Sequence, residues 1–191
     1  MNKLTIILKN PFASLHERTL LIFGLSSFLV GVLLAHAVQL QIQILRVNPL
    51  KELSLLQVTL GHLTIVVVLS LVFYFLGKLI NIKTRFLDIL NTVLIALVPI
   101  YLLSLENINN YLRHQTTETL ERIKTGGILT EPPYLLLLTS ILSLVVLGYF
   151  VYLLFTGFKT ATNAKKTWHF ITFFVLLLLA DFLCSGLINS I

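Results

Sequence analysis

Five long blocks free of charged residues set the rhythm of the chain: Thr19 to Leu45, Leu53 to Gly77, Ile89 to Leu105, Pro132 to Phe158 and Thr167 to Ala180. A helix that crosses a bilayer needs about 20 mostly apolar residues. The first, second and fourth blocks exceed that length, the third borrows a turn at either end, and the fifth continues past Asp181 to Ile191 without a further charge. Backbone inside hydrocarbon must satisfy its own hydrogen bonds, which leaves helices or closed barrels. Barrel strands alternate apolar and polar positions over about ten residues, whereas these blocks are continuous. The pattern therefore predicts an all-α integral membrane bundle of five transmembrane helices with short interfacial helices. Residues 1–18 form a lead, and residues 19–191 form one domain with spans at about 19–45, 60–81, 87–106, 133–158 and 167–189.

The connecting segments carry their own signals. Asn10-Pro11 and Asn48-Pro49 each place a capping side chain before a proline suited to a first helical turn. After Asn48, the residues Leu50, Leu53, Leu55, Leu56 and Leu60 predict a helix in the outer interface ahead of the second span. Between Asn107 and Lys124, Ile108, Tyr111, Leu112, Leu120 and Ile123 recur at helical spacing, and Glu118 and Arg122 stand four apart. This segment predicts an interfacial helix capping the outer mouth, stopped by Gly126-Gly127, with Pro132-Pro133 opening the fourth span. The turns beginning Gly77-Lys78 and Gly157-Phe158-Lys159 resemble each other: glycine, a basic residue, then another basic residue several positions on. Any basic turn gives the same pattern, so a duplicated hairpin is not required.

Composition agrees with the pattern. Hydrophobic residues make up 57% of the 191 and charged residues 12%, against about 25% charged in soluble domains. One soluble core of this length cannot hide so much apolar surface. The distribution of Lys and Arg then sets the expected orientation. Lys3, Lys9, Arg18, Lys78, Lys83, Arg85, Lys159, Lys165 and Lys166 fall on one side of the five spans; Arg46, Lys51, Arg113, Arg122 and Lys124 fall on the other. The expectation is a cytoplasmic N-terminus and an outside C-terminus in a bacterial inner membrane, with anionic lipid headgroups against the basic turns. Nucleic acid is not an expected partner: no basic helix carries interleaved aromatics. Between Lys3 and Lys9 lie only five uncharged residues, too few for a cleavable signal. The single Cys184 excludes an internal disulfide and reads as packing.

Ionisable residues inside a span are costly and mark the first place to look for chemistry. The candidates are His36 and Asp181, each about two-thirds along an outward-running span, with Asn91 as a polar neighbour. Asp181 is expected to face the bundle interior and bond to His36 or Asn91. A polar clasp between helices is the favoured reading, and a proton or ion relay the alternative. Gly24, Ser26, Ser27 and Gly31 would let another helix approach the first span. Pro99 should kink the third span, and Gln39, Gln41 and Gln43 mark the outer end of the first. No phosphate-cradling glycine loop, metal-spaced histidine pair, cysteine pair or carboxylate cluster is present in the sequence. Catalytic, cofactor and metal residues are therefore expected to be none.

Lys9-Asn10-Pro11-Phe12 before the first span, Val98-Pro99 near the end of the third, and Val151-Tyr152-Leu153-Leu154-Phe155-Thr156-Gly157-Phe158-Lys159 through Ala164-Lys165-Lys166-Thr167-Trp168 together resemble the Ypt-interacting-protein (Yip) domain family of small five-span membrane proteins. In eukaryotes such proteins act in vesicle traffic and contact small GTPases, with a long N-terminal region. The lead here is short, and Leu94-Ile95 replaces the family's Gly-Tyr. The resemblance thus implies a short prokaryotic-type member without assigned chemistry. The expected function is that of a non-enzymatic membrane organiser, scaffold or accessory subunit, with a membrane-protein partner or a second copy of itself. The alternative is a small transporter or channel component with a polar path at Asp181 and His36.

Overall fold

The structure, a computed structural model, describes residues 9–50, 52–125 and 134–190. The expected signals at Lys3, Lys51, Gly126-Gly127 and Pro132-Pro133 lie outside the described residues, as does the chain's last residue. Among the described residues five helices are long and apolar enough to cross a membrane, and the fold is the expected all-α membrane bundle.

The first helix described in full is a single turn, α1 (Pro11–Ser14), whose Ala13 N–H donates to the Asn10 side chain while Pro11 occupies the first position. Helix α2 (Glu17–Ala37) is the first span. It ends well short of the expected boundary at residue 45. Gln39 adopts a left-handed φ of 55°, and the chain folds into an antiparallel hairpin of β1 (Leu40–Ile42) and β2 (Val47–Pro49). The reason was present in the sequence. Leu40-Gln41-Ile42-Gln43-Ile44 alternates with period two, the signature of a strand, although it is as uncharged as the helix before it. Leu40, Ile42 and Ile44 are buried.

Asn48-Pro49 consequently belongs to a strand and starts no interfacial helix. Pro49 pairs with Leu40 at the end of the ladder, a position that tolerates a missing N–H. The second span, α3 (Leu55–Ile80), starts at a Ser54–Gln57 capping box and takes Leu55, Leu56 and Leu60 into its own first turns.

Helix α4 (Phe86–Leu102) continues through Pro99 and passes into a 3-10 segment, Leu103–Asn110, which is kinked where Asn107, Ile108 and Asn109 leave helical backbone. Two left-handed asparagines, Asn109 and Asn110, then turn the chain into the polar helix α5 (Tyr111–Lys124). Short polar side chains tolerate that backbone conformation. Helix α5 forms the expected Arg122–Glu118 pair but buries no residue. It packs on the 3-10 segment and does not cap the bundle; the hairpin takes that place. Helices α6 (Tyr134–Thr162) and α7 (Thr167–Ile188) complete the five spans.

Helix α4 is the central span, flanked by α2, α6 and α3, while α7 packs along α3. Two glycines of α2 permit the closest approach, as the small-residue pattern predicts. A Cβ on Gly24 would lie 2.7 Å from Leu94 Cβ, and one on Gly31 would lie 2.5 Å from the Tyr101 ring. Phe73, Phe158 and Phe173 fill the interior between α3, α6 and α7 with ring centroids 4.6–5.6 Å apart. On the outer faces the arrangement is inverted relative to a soluble protein: Phe182 is 76% exposed and Leu144 73%, as a lipid solvent requires.

Candidate functional site

Alternating spans give the bundle two unlike ends. The basic end gathers α1, the turn between α3 and α4, and the turn between α6 and α7. The hairpin end gathers β1, β2, the 3-10 segment and the C-terminus of α7.

At the hairpin end Asp181 is buried, with 5% of its surface exposed. Its Oδ2 accepts from Arg46 Nη2 at 2.6 Å and its Oδ1 from the Leu45 backbone N–H at 3.1 Å. Both donors lie in the hairpin turn, so one carboxylate pins the hairpin into the mouth of the bundle. Gln43 Nε2 adds a contact to Asn189 Oδ1. The acid thus has a cation as partner, and neither His36 nor Asn91 reaches it. His36 Nδ1 lies 3.0 Å from the Leu53 carbonyl oxygen and, with Gln39, ties the end of α2 to the segment before α3. Asn91 stands near the start of α4, at the opposite end from Asp181. The three polar candidates therefore occupy three separate places.

The sequence reading missed His62. It is buried in α3, its Nδ1 is 2.8 Å from the Val58 carbonyl oxygen, and its ring stacks on Tyr101 at 5.6 Å. The signal was a titratable residue within an apolar block. Arg46 was counted for orientation alone; its role as counter-ion depends on the hairpin.

A second polar centre lies at the basic end. Arg85, the residue before α4, donates from Nε and Nη2 to Asp88 at 3.1 and 2.8 Å and from Nη2 to Glu17 at 2.6 Å. These bonds, Asp88 first and then Glu17, hold the guanidinium still further above its ordinary range. Asn91 Nδ2 donates to the Glu17 carbonyl oxygen, and Thr92 Oγ1 to that of Asp88. Together with Gly157 and Thr160 of α6, these residues line a cleft of about 300 Å³. Asn91 is 2% exposed, and its Oδ1 accepts no hydrogen bond among the described residues.

The remaining basic-turn residues divide by reach. Lys78 and Lys159 lay their amines near the Tyr74 and Phe170 rings, an arrangement suited to long side chains at a membrane boundary. Lys83, Lys165 and Lys166 are exposed. The two turns meet where Asn81 Nδ2 donates to the Thr162 carbonyl oxygen.

The two motif segments far apart in sequence also meet here. Tyr152 Oη donates to the Lys9 carbonyl oxygen, Asn10 Nδ2 reaches Thr160 Oγ1, and a Cβ on Gly157 would lie 2.8 Å from the Phe12 ring. A Cβ at 157 would come closer still to Thr92 Cγ2, at 2.5 Å, so the glycine admits both α4 and α1 against α6. Beside this contact runs a groove of about 570 Å³ between α2, α4 and α6, lined almost wholly by apolar side chains including Phe23, Pro99 and Val145.

A family model described as the Yip1 domain matches residues 13–188. Neither a curated protein nor a solved structure matches the chain.

Proposed function

The chain belongs to the Yip1 domain family, and from that premise we propose that it works without catalysis, as a membrane organiser, scaffold or accessory subunit. It is an integral membrane protein with five apolar helices in contact with lipid. The observation that carries the reading is the state of Asp181. Both carboxylate oxygens are engaged by the protein's own hairpin, and below it the interior is closed by the rings of Phe73, Phe158 and Phe173. A relay needs an acid that exchanges partners along a polar path. An acid tied to Arg46 above an aromatic plug supports a clasp.

The test has two arms. Purified protein in proteoliposomes is expected to conduct no ion or proton flux above that of empty vesicles, and Asp181→Asn is expected to change nothing in that assay. Crosslinking in native membranes is expected to join the chain to another membrane protein or to a second copy. Flux abolished by Asp181→Asn would replace this reading with transport.

We place the N-terminus in the cytoplasm of a bacterial inner membrane, with the basic turns against anionic headgroups. Native Cys184 is fully buried, so introduced cysteines report without background. With an impermeant thiol reagent on intact cells, Glu52→Cys at the hairpin end is expected to label. Ile82→Cys in the basic turn is expected to label only after the membrane is opened. The reverse pattern would invert the topology.

A further inference from the structure

The cleft at the basic end and the groove are neighbours, with Leu15 and Leu20 lining both. Their chemistries complement the two halves of one kind of molecule. In the cleft, two carboxylates share a single guanidinium, which leaves a net negative charge. Asn91 adds a buried acceptor. Its Nδ2 is already committed to the Glu17 carbonyl oxygen, so the unpartnered atom is the oxygen, and it calls for an N–H or O–H donor. The Arg85 side chain is exposed, and its Nη1 makes no hydrogen bond among the described residues, whereas Nε and Nη2 are taken by Asp88 and Glu17. The cleft thus offers acceptors for a cation and, at its rim, a guanidinium edge for an anion.

The groove offers no polar partner of that kind. It runs along α4 from Ile95 to Leu102, roughly 10 Å of helix, which is most of one leaflet's depth of about 15 Å. It opens between helices, towards the lipid-facing surface on which Phe23, Leu102 and Val145 stand exposed.

The geometry points to a single site for a phospholipid whose headgroup ends in a primary ammonium. The ammonium sits among Glu17, Asp88 and Asn91 Oδ1, the phosphate faces Arg85 Nη1, and one acyl chain lies in the groove. A trimethylated headgroup has no N–H for Asn91, and an anionic headgroup meets the carboxylates with the wrong charge. This site is independent of the organiser or scaffold role, which makes no demand on any particular lipid.

The experiment uses the full chain, purified in detergent and offered phosphatidylethanolamine, phosphatidylcholine and phosphatidylglycerol with identical acyl chains, with bound lipid read by native mass spectrometry. Phosphatidylethanolamine is expected to be retained about tenfold better than either of the others, the size of one charge-assisted hydrogen bond. Asn91→Leu is expected to erase the preference over phosphatidylcholine while leaving the charge-based preference over phosphatidylglycerol. Asp88→Asn, a milder change that keeps the side-chain shape, is expected to reduce it several-fold, so the argument does not depend on whether Asn91→Leu folds. Val145→Trp, at an exposed groove position, is expected to lower retention of all three lipids alike. Phosphoethanolamine without acyl chains is expected not to compete at matched concentration; competition by it would mean that the groove contributes nothing and would overturn the single-site assignment. Equal retention of the ethanolamine and choline lipids by the unsubstituted protein, or preferences left unchanged by both Asn91→Leu and Asp88→Asn, would overturn the headgroup assignment.

Discussion

Arg46→Ala is expected to destabilise the bundle by about 2 kcal/mol, between the ~1 kcal/mol of an average polar contact in a membrane bundle and the ~3–5 kcal/mol lost when one partner of a fully buried ion pair is removed. The intermediate value follows from the geometry. Asp181 is buried but the Arg46 side chain is 53% exposed, so the arginine keeps part of its hydration in the folded state. What the substitution leaves behind is the costly element: a carboxylate within a span, held by the Leu45 N–H alone. Replacing both partners, as Arg46→Leu with Asp181→Leu, removes that burden and is expected to recover most of the loss. Equilibrium unfolding in mixed micelles gives the energies. A cysteine at Ile44, buried in the hairpin turn, gives the local readout: inert in the parent protein and reactive once Arg46 is gone. Arg46→Ala with unchanged stability and an inert Cys at 44 would show that packing of Leu40, Ile42 and Ile44 holds the hairpin without the ion pair.

The second large effect is expected at Gly31. Alanine there would place its Cβ 2.5 Å from the Tyr101 ring, too close for any real contact. The ring cannot swing away freely, because it also stacks on His62, which is itself tied to the Val58 carbonyl oxygen. The strain must pass into the spacing of α2 and α4. Overpacking of this sort costs about 1–3 kcal/mol, so Gly31→Ala is expected to lose about 2 kcal/mol. Gly148 supplies the control in the same assay. Nothing lies within 4 Å of its Cβ position, and alanine has the better helix propensity by about 1 kcal/mol. Gly148→Ala is therefore expected to be neutral or slightly stabilising. Equal behaviour of the two variants would mean that α2 does not press on α4 at Gly31.

Both effects bear on how far the chain could be read in advance. The five spans were legible because lipid imposes a strict rule: a helix of sufficient length with no uncompensated charge. The small residues of α2 marked its close face for the same reason, since only glycine admits a neighbouring backbone and ring so near. The hairpin was overlooked because hydropathy alone does not separate an apolar strand from an apolar helix. Leu40 to Ile44 carried the period-two signal inside a block read for its lack of charge. The segment after Asn48 was mistaken for a helix start because Asn-Pro serves strands, turns and helices equally. The resolving signal was the Ser54–Gln57 box a few residues later.

What the sequence determined by itself was the membrane, the number of crossings, the excess of basic residues at one end and the family kinship, which residues 13–188 carry. These rest on local composition, which each segment satisfies alone. Only the tertiary structure decided that Asp181 takes Arg46 as its partner, that Asn91 sits with Glu17, Arg85 and Asp88 at the other end, and that a polar cleft lies beside an apolar groove. Those pairings bring together residues from different spans and turns, and no periodicity records them. They follow from where a bundle centred on α4 and closed by a hairpin places its turns.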